Sequence, residues 1–196
     1  MDDGMLLTPY GALAGVSSRE YYESGELMGV TLTERNMVLT HAGGLIPIYE
    51  PDGMRRKAKR SITFQKNGMV RSVSLQEQQA VETPIGEFPA ELVVFHETGE
   101  LSRFFVVDGQ LSGFWTIEDE RARNIPLAFE LDVANFRAML TGVAFHPGGS
   151  IRSITLFPGE EIAVKLPSGR GLRARIGFSL FEDGALESVE PAAPAP

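Results

Sequence analysis

The chain contains no cysteine. That excludes disulfides, thiolate nucleophiles and cysteine-ligated metals, and it suits a reducing compartment. Histidine is scarce at three residues, and tryptophan occurs once. No stretch approaches the roughly 18–20 consecutive apolar residues of a membrane-spanning helix. The acidic start, Met1-Asp2-Asp3-Gly4-Met5, leads into no long apolar run, so no secretory signal is expected. No Gly-x-Ser-x-Gly elbow, phosphate loop or dinucleotide fingerprint is present. Positive charge is in deficit: the net charge of −8 argues against general affinity for nucleic acid or anionic membrane, both of which need clustered cations. What remains is a chain of 196 residues, 43% hydrophobic and 22% charged, long enough to bury a core of its own.

The chain does have internal self-similarity. Five segments align on a central glycine. They are Tyr21-Tyr22-Glu23-Ser24-Gly25-Glu26-Leu27, Phe64-Gln65-Lys66-Asn67-Gly68-Met69-Val70, Phe95-His96-Glu97-Thr98-Gly99-Glu100-Leu101, Phe145-His146-Pro147-Gly148-Gly149-Ser150-Ile151 and Leu180-Phe181-Glu182-Asp183-Gly184-Ala185-Leu186. Glycine adopts positive φ freely, and Asn or Asp before it suits a tight turn. Three residues beyond the closing Leu, Val or Ile stands another apolar residue: Val30, Val73, Phe104, Ile154 and Val189. This three-residue step breaks strict alternation in every copy and predicts a built-in bulge. A second turn signature precedes the hairpins: Thr8-Pro9-Tyr10-Gly11, Thr40-His41-Ala42-Gly43, Thr83-Pro84-Ile85-Gly86 and Leu166-Pro167-Ser168-Gly169, with the weak counterpart Leu131-Asp132-Val133-Ala134.

The reading is an all-β protein of about five antiparallel hairpin units stacked into an extended or curved sheet. The units span about 8–39, 40–82, 83–128, 129–165 and 166–189 of one domain, 1–189, with residues 190–196 expected to be a disordered tail. A single hairpin is marginal in water, so neighbouring units must pack on one another. Insertions interrupt the pattern around Tyr49-Glu50-Pro51-Asp52-Gly53 and over 107–128, where the only tryptophan lies.

Two features stand outside the repeat. Residues 1–54 hold two Arg against eight Asp and Glu, whereas Arg55, Arg56, Lys57, Lys59, Arg60, Lys66 and Arg71 follow with no acid among them. Such a run can seat a phosphate, an acidic partner or an anionic lipid headgroup, or simply be an exposed segment that blunts a sheet edge. Phe114 and Trp115, in the 107–128 insertion, are either an interface anchor or the packed close of a hairpin. His96 and His146 share one repeat position, where other copies carry Tyr22, Gln65 and Phe181. That favours a place in the strand pattern over a metal or acid–base pair, and His41 in its turn is expected to face solvent.

Phe95-His96-Glu97-Thr98-Gly99-Glu100-Leu101, followed by Asp108-Gly109-Gln110-Leu111-Ser112-Gly113-Phe114-Trp115, resembles the bacterial variant of the MORN repeat. The match is best over 93–116, partial at 19–32 and 62–75, and weaker at 143–156 and 178–189. The resemblance implies hairpins added side by side, protein–protein scaffolding and, in some members, membrane association.

The expected function is therefore non-enzymatic and cytoplasmic: binding of another protein through an extended sheet surface. Peripheral binding of anionic lipid through Arg55, Arg56, Lys57, Lys59 and Arg60 is the first alternative. A small-ligand or enzymatic site near 107–128 is the second. No catalytic residue, cofactor or metal is assigned. Exposed edge strands are compatible with a homodimer.

Overall fold

The computed structural model describes residues 4–51, 53–108 and 111–190. Its strands in chain order are β1 (Leu6–Thr8), β2 (Gly11–Leu13), β3 (Val16–Tyr21), β4 (Leu27–Leu32), β5 (Val38–Thr40), β6 (Gly43–Leu45), β7 (Ile62–Phe64), β8 (Val70–Thr83), β9 (Gly86–Phe95) and β10 (Leu101–Phe105). After the short helix α1 (Ile117–Arg123) come β11 (Leu127–Leu131), β12 (Ala134–Ala138), β13 (Leu140–Phe145), β14 (Ile151–Leu156), β15 (Ile162–Lys165), β16 (Gly171–Ala174), β17 (Gly177–Leu180) and β18 (Leu186–Glu190). The all-β class holds. A ten-stranded antiparallel sheet runs in the order β18-β17-β14-β13-β10-β9-β8-β7-β4-β3. Glu190, the first residue of the expected tail 190–196, instead ends β18, where it pairs with Gly177; the rest of that tail, 191–196, the acidic start at 1–3, Asp52 of the 49–53 turn and Gly109 and Gln110 of the 107–128 insertion lie outside the described residues.

Period-two alternation sorts the side chains of this sheet onto two unlike faces. One cross-strand row reads Arg19, Val30, Ile62, Val73, Val93, Phe104, Val143, Ile154, Phe178 and Val189, apolar in every strand but the edge strand β3. The adjacent row reads Glu20, Gly29, Thr63, Ser72, Val94, Arg103, Ala144, Ser153, Ser179 and Ser188. The first row is covered by a second layer: the two-stranded hairpins β1-β2, β5-β6, β11-β12 and β15-β16, and the outer ends of β8 and β9. Phenylalanines stitch the layers together. Phe88 stacks on Phe104 at 5.4 Å and on Phe129 at 5.5 Å, and Phe136 meets the edge of Phe178 at 6.2 Å. The second row faces away from that layer.

The five glycine-centred segments join β3 to β4, β7 to β8, β9 to β10, β13 to β14 and β17 to β18. Each turn closes with the glycine N–H donating to the carbonyl three residues back, as Gly25 does to Tyr22 at 2.9 Å and Gly184 to Phe181 at 2.9 Å. Directly after the turn the register slips by one residue in all five hairpins, leaving Met28, Arg71, Ser102, Arg152 and Glu187 without an opposite partner. That slip is the bulge the three-residue step predicts. Positive φ falls on glycine alone among the described residues. Asn67 and Asp183 act instead through their side chains, accepting from the N–H groups of Met69 and Ala185 at 2.9 Å each. One turn was grouped differently by sequence: Leu166-Pro167-Ser168-Gly169 has the hydrogen bonds of these long-hairpin turns, whereas Thr8, Thr40 and Thr83 each bond the glycine carbonyl three residues on.

The repeat position that carries the two histidines links neighbouring units. The Tyr22 hydroxyl donates to the Phe64 carbonyl at 2.8 Å and Gln65 Nε2 to the Phe95 carbonyl at 3.5 Å. His96 Nε2 bonds the Phe145 carbonyl at 3.3 Å, and His146 Nε2 the Leu180 carbonyl at 2.9 Å. In the fifth unit the position is Phe181, half exposed. This ladder explains why Tyr, Gln and His interchange there: each reaches one carbonyl. His146→Ala should cost about 1 kcal/mol, the usual worth of one such bond, and His146→Gln much less. Urea midpoints at unchanged m-value would measure both. His41, exposed in its turn, also bonds a carbonyl, that of Gly99 at 2.9 Å.

Candidate functional site

The two features outside the repeat come together in space. The site begins with a gap in the sheet. Ser74 of β8 pairs with Leu92 of β9, yet the next pair is Gln79 with Ala90. Leu75, Gln76, Glu77 and Gln78 therefore face the single residue Glu91. The segment before β7 fills the widening, with the Ile48 N–H donating to the Ser74 carbonyl at 2.8 Å and the Gln76 N–H to the Ile46 carbonyl at 3.0 Å. Glutamine side chains serve the irregular backbone here. Gln76 Oε1 accepts from Tyr49 N–H at 2.8 Å, and Gln79 Oε1 from Ile46 N–H at 2.9 Å.

Glu91 is buried, with 3% exposure, where strand alternation offers it no water. Its oxygens accept from Arg55 Nη1 at 2.8 Å, Arg56 Nη2 at 2.7 Å and the Asp108 N–H at 2.9 Å. Arg55 and Arg56 are themselves only 6% and 5% exposed. Arg55 also holds Glu120 through both oxygens, with Nε to Oε2 at 3.0 Å, and Lys59 pairs with Asp108. Trp115 Nε1 donates to the same Glu120 Oε2 at 2.9 Å. Glu120 is presented by α1, whose start is fixed by a capping box between Thr116 and Asp119. The backbones dock as well: Ser112 N–H donates to the Arg55 carbonyl at 2.8 Å, and Arg56 bridges to Leu111.

The expectation of an exposed basic segment is thereby corrected for Arg55, Arg56 and Lys59. A desolvated guanidinium or ammonium needs a carboxylate close by, and Glu91, Glu120 and Asp108 supply three. Arg60, partly exposed, pairs with Glu20, and Lys57 is exposed. Phe114 is 77% exposed, while Trp115 is half-buried against the network and closes no hairpin. Burial opposes the charge of Arg55, but the hydrogen bonds it donates to Glu120 and Glu91 outweigh it and raise its pKa. For Arg56 burial wins, helped by repulsion from Arg55 and opposed by Glu91, and the pKa is lowered. Burial, with Arg56 and Arg55 nearby, lowers Lys59 to about 8 against the pull of Glu91; the Asp108 contact acts in the same direction as Glu91.

Sequence reasoning did not single out Glu91. Its signal was an acid inside the apolar run Phe88-Pro89-Ala90-Glu91-Leu92-Val93-Val94-Phe95, a position that demands a cation. The helix was missed too, although Thr116 three residues before Asp119 is a start signal.

Clefts open on two sides of the segment 55–60. One, of about 440 Å³, is lined by Arg55, Arg56, Glu91, Gln76, Glu77, Gln78, Ile48, Val107 and Arg123. The other, of about 600 Å³, has Thr31, Thr63, Ser72, Ser74 and Leu92 of the sheet's bare face as its floor and Lys59, Arg60, Glu20 and Asp108 at its rim. Among the described residues no three His, Asp or Glu side chains are grouped to hold a metal, and no helix is long and apolar enough to cross a membrane. The chain matches no family model, no curated protein and no solved structure.

The exposed ion pairs bear on acid stability. Hydrogen bonds from Arg60 to Glu20, from Arg173 and Arg175 to Glu161, and from Thr116 to Asp119 hold these carboxyls below their ordinary values. Carboxyls depressed in the folded state stabilise it above their unfolded pKa, and that contribution is lost as pH falls through the folded values. Thermal midpoints should therefore decline below about pH 4.5, the ordinary glutamate value, and 0.5 M salt should flatten the decline.

Proposed function

We propose that the protein is a non-enzymatic binding module that holds a protein partner against the bare face of its ten-stranded sheet. The observation that carries this reading is the row from Glu20 to Ser188, which crosses all ten strands and faces away from the second layer. At the usual strand spacing that face is about 43 Å long, a span suited to a macromolecule. Its hydroxyl, glycine and alanine side chains let a partner approach the sheet closely, and the part-exposed Leu92, Val94 and Phe105 offer apolar anchors at its centre. His96 and His146 each commit Nε2 to a carbonyl of the neighbouring unit, which supports a structural place for them in the inter-unit ladder. The resemblance to MORN-type repeats points the same way.

Lipid binding has less support, because Arg55, Arg56 and Lys59 turn their charge inward, and of the cations in 55–60 Lys57 alone is exposed without an ion pair among the described residues. The test is capture from native lysate with the wild type, with Ser153→Arg plus Arg103→Glu on the bare face, and with Ala163→Arg on the outside of the second layer. The bare-face pair should lose a reproducible partner at least tenfold and the control should keep it. Capture that is indifferent to the bare-face pair, or no reproducible partner, overturns the reading.

A further inference from the structure

Arg55, Arg56 and Arg123 all line the 440 Å³ cleft beside the gap in β8. They are not equally neutralised. Arg55 is gripped by Glu120 and Glu91 together. Arg56, at 5% exposure, has one carboxylate oxygen of Glu91 at 2.7 Å and only a long contact, 3.4 Å, to the Leu75 carbonyl. Arg123 stands exposed at the end of α1 with no ion pair or hydrogen bond among the described residues. Of the acids in the lining, Glu91 is saturated by two guanidiniums and a backbone N–H, and Glu77 is exposed. A planar guanidinium desolvated on one side and open to a cavity on the other is a ready partner for a carboxylate or phosphate group.

We propose that this cleft binds a small organic oxyanion, its phosphate or carboxylate group bridging Arg56 and Arg123 and its carbon skeleton lying on Ile48 and Val107. The ligand sits behind the bare face and is separate from the protein-docking surface. Burial first, and repulsion from Arg55 second, lower the pKa of Arg56, and an anion seated there would oppose both effects.

Thermal shift and titration calorimetry test this with inorganic phosphate and with succinate, each against sodium chloride at matched ionic strength. At about ten times the dissociation constant the bound anion should raise the unfolding midpoint by about 3 °C or more. Arg123→Gln, whose side chain is exposed and has no partner among the described residues, should fold as the wild type and lose at least tenfold in affinity. Lys57→Gln should bind normally. Whichever anion binds identifies the headgroup as phosphate or carboxylate. No effect beyond chloride for either anion, or binding that persists unchanged in Arg123→Gln, overturns the proposal.

Discussion

Glu91→Ala is expected to cost about 3–5 kcal/mol, the range for removing one partner of a buried ion pair. The loss arises because Arg55 and Arg56 stay buried with their shared carboxylate gone, and the Asp108 N–H loses its acceptor. Domains of this kind are stable by about 5–15 kcal/mol, so the midpoint should fall by roughly 10 °C or more. Glu120→Ala should also be severe, since it strips the two-point partner of Arg55 and the acceptor of the Trp115 indole. Replacing Arg55, Arg56, Glu91 and Glu120 together by apolar residues of similar volume should recover most of the loss, because the desolvation cost disappears with the charges. An exposed basic segment would behave otherwise, with single changes staying within about 0.5 kcal/mol. Denaturant unfolding of the single and quadruple variants separates the two cases.

Gly177→Ala is the second large effect. Strand β17 lies so close to β14 that a Cβ at Gly177 would overlap the Ile154 carbonyl oxygen and crowd the Thr155 Cα at 3.2 Å. The obstacle is the backbone of a hydrogen-bonded neighbouring strand, so no rotamer relieves it. A cost of about 3 kcal/mol, at the upper end for overpacking, is expected. Gly142, whose Cβ would stand 2.5 Å from the Phe104 carbonyl oxygen between β10 and β13, should behave alike. Gly184 provides the contrast: it has positive φ, +83°, with nothing near its Cβ. Gly184→Ala strains one turn without parting strands and should cost about 1–2 kcal/mol.

These two glycines show what the sequence could and could not reveal. Local signals were strong where the geometry is local. A glycine four residues after Tyr21, Phe64, Phe95, Phe145 or Leu180 marked a hairpin, and the three-residue step marked a bulge, because turn and alternation are settled within a few residues. The faces followed from the same alternation. Partners distant in the chain were not legible. Nothing in the sequence around Gly142 and Gly177 marks them, although their neighbours across the sheet forbid a side chain. The run from Arg55 to Arg60 read as surface because its counter-charges lie at Glu91, Asp108 and Glu120, far along the chain on separate elements. Nor does any local pattern announce that β8 must open by four residues for Glu91 to be reached.

The most direct test of the central claim places a photo-reactive benzophenone side chain at Ser153, on strand β14 of the bare face, and separately at Ala163, on the outside of the second layer. After irradiation in native lysate, Ser153 should give one reproducible cross-linked protein that is absent at Ala163 and is competed by excess unmodified chain. Equal products at both positions, or a product at Ala163 alone, would contradict the account.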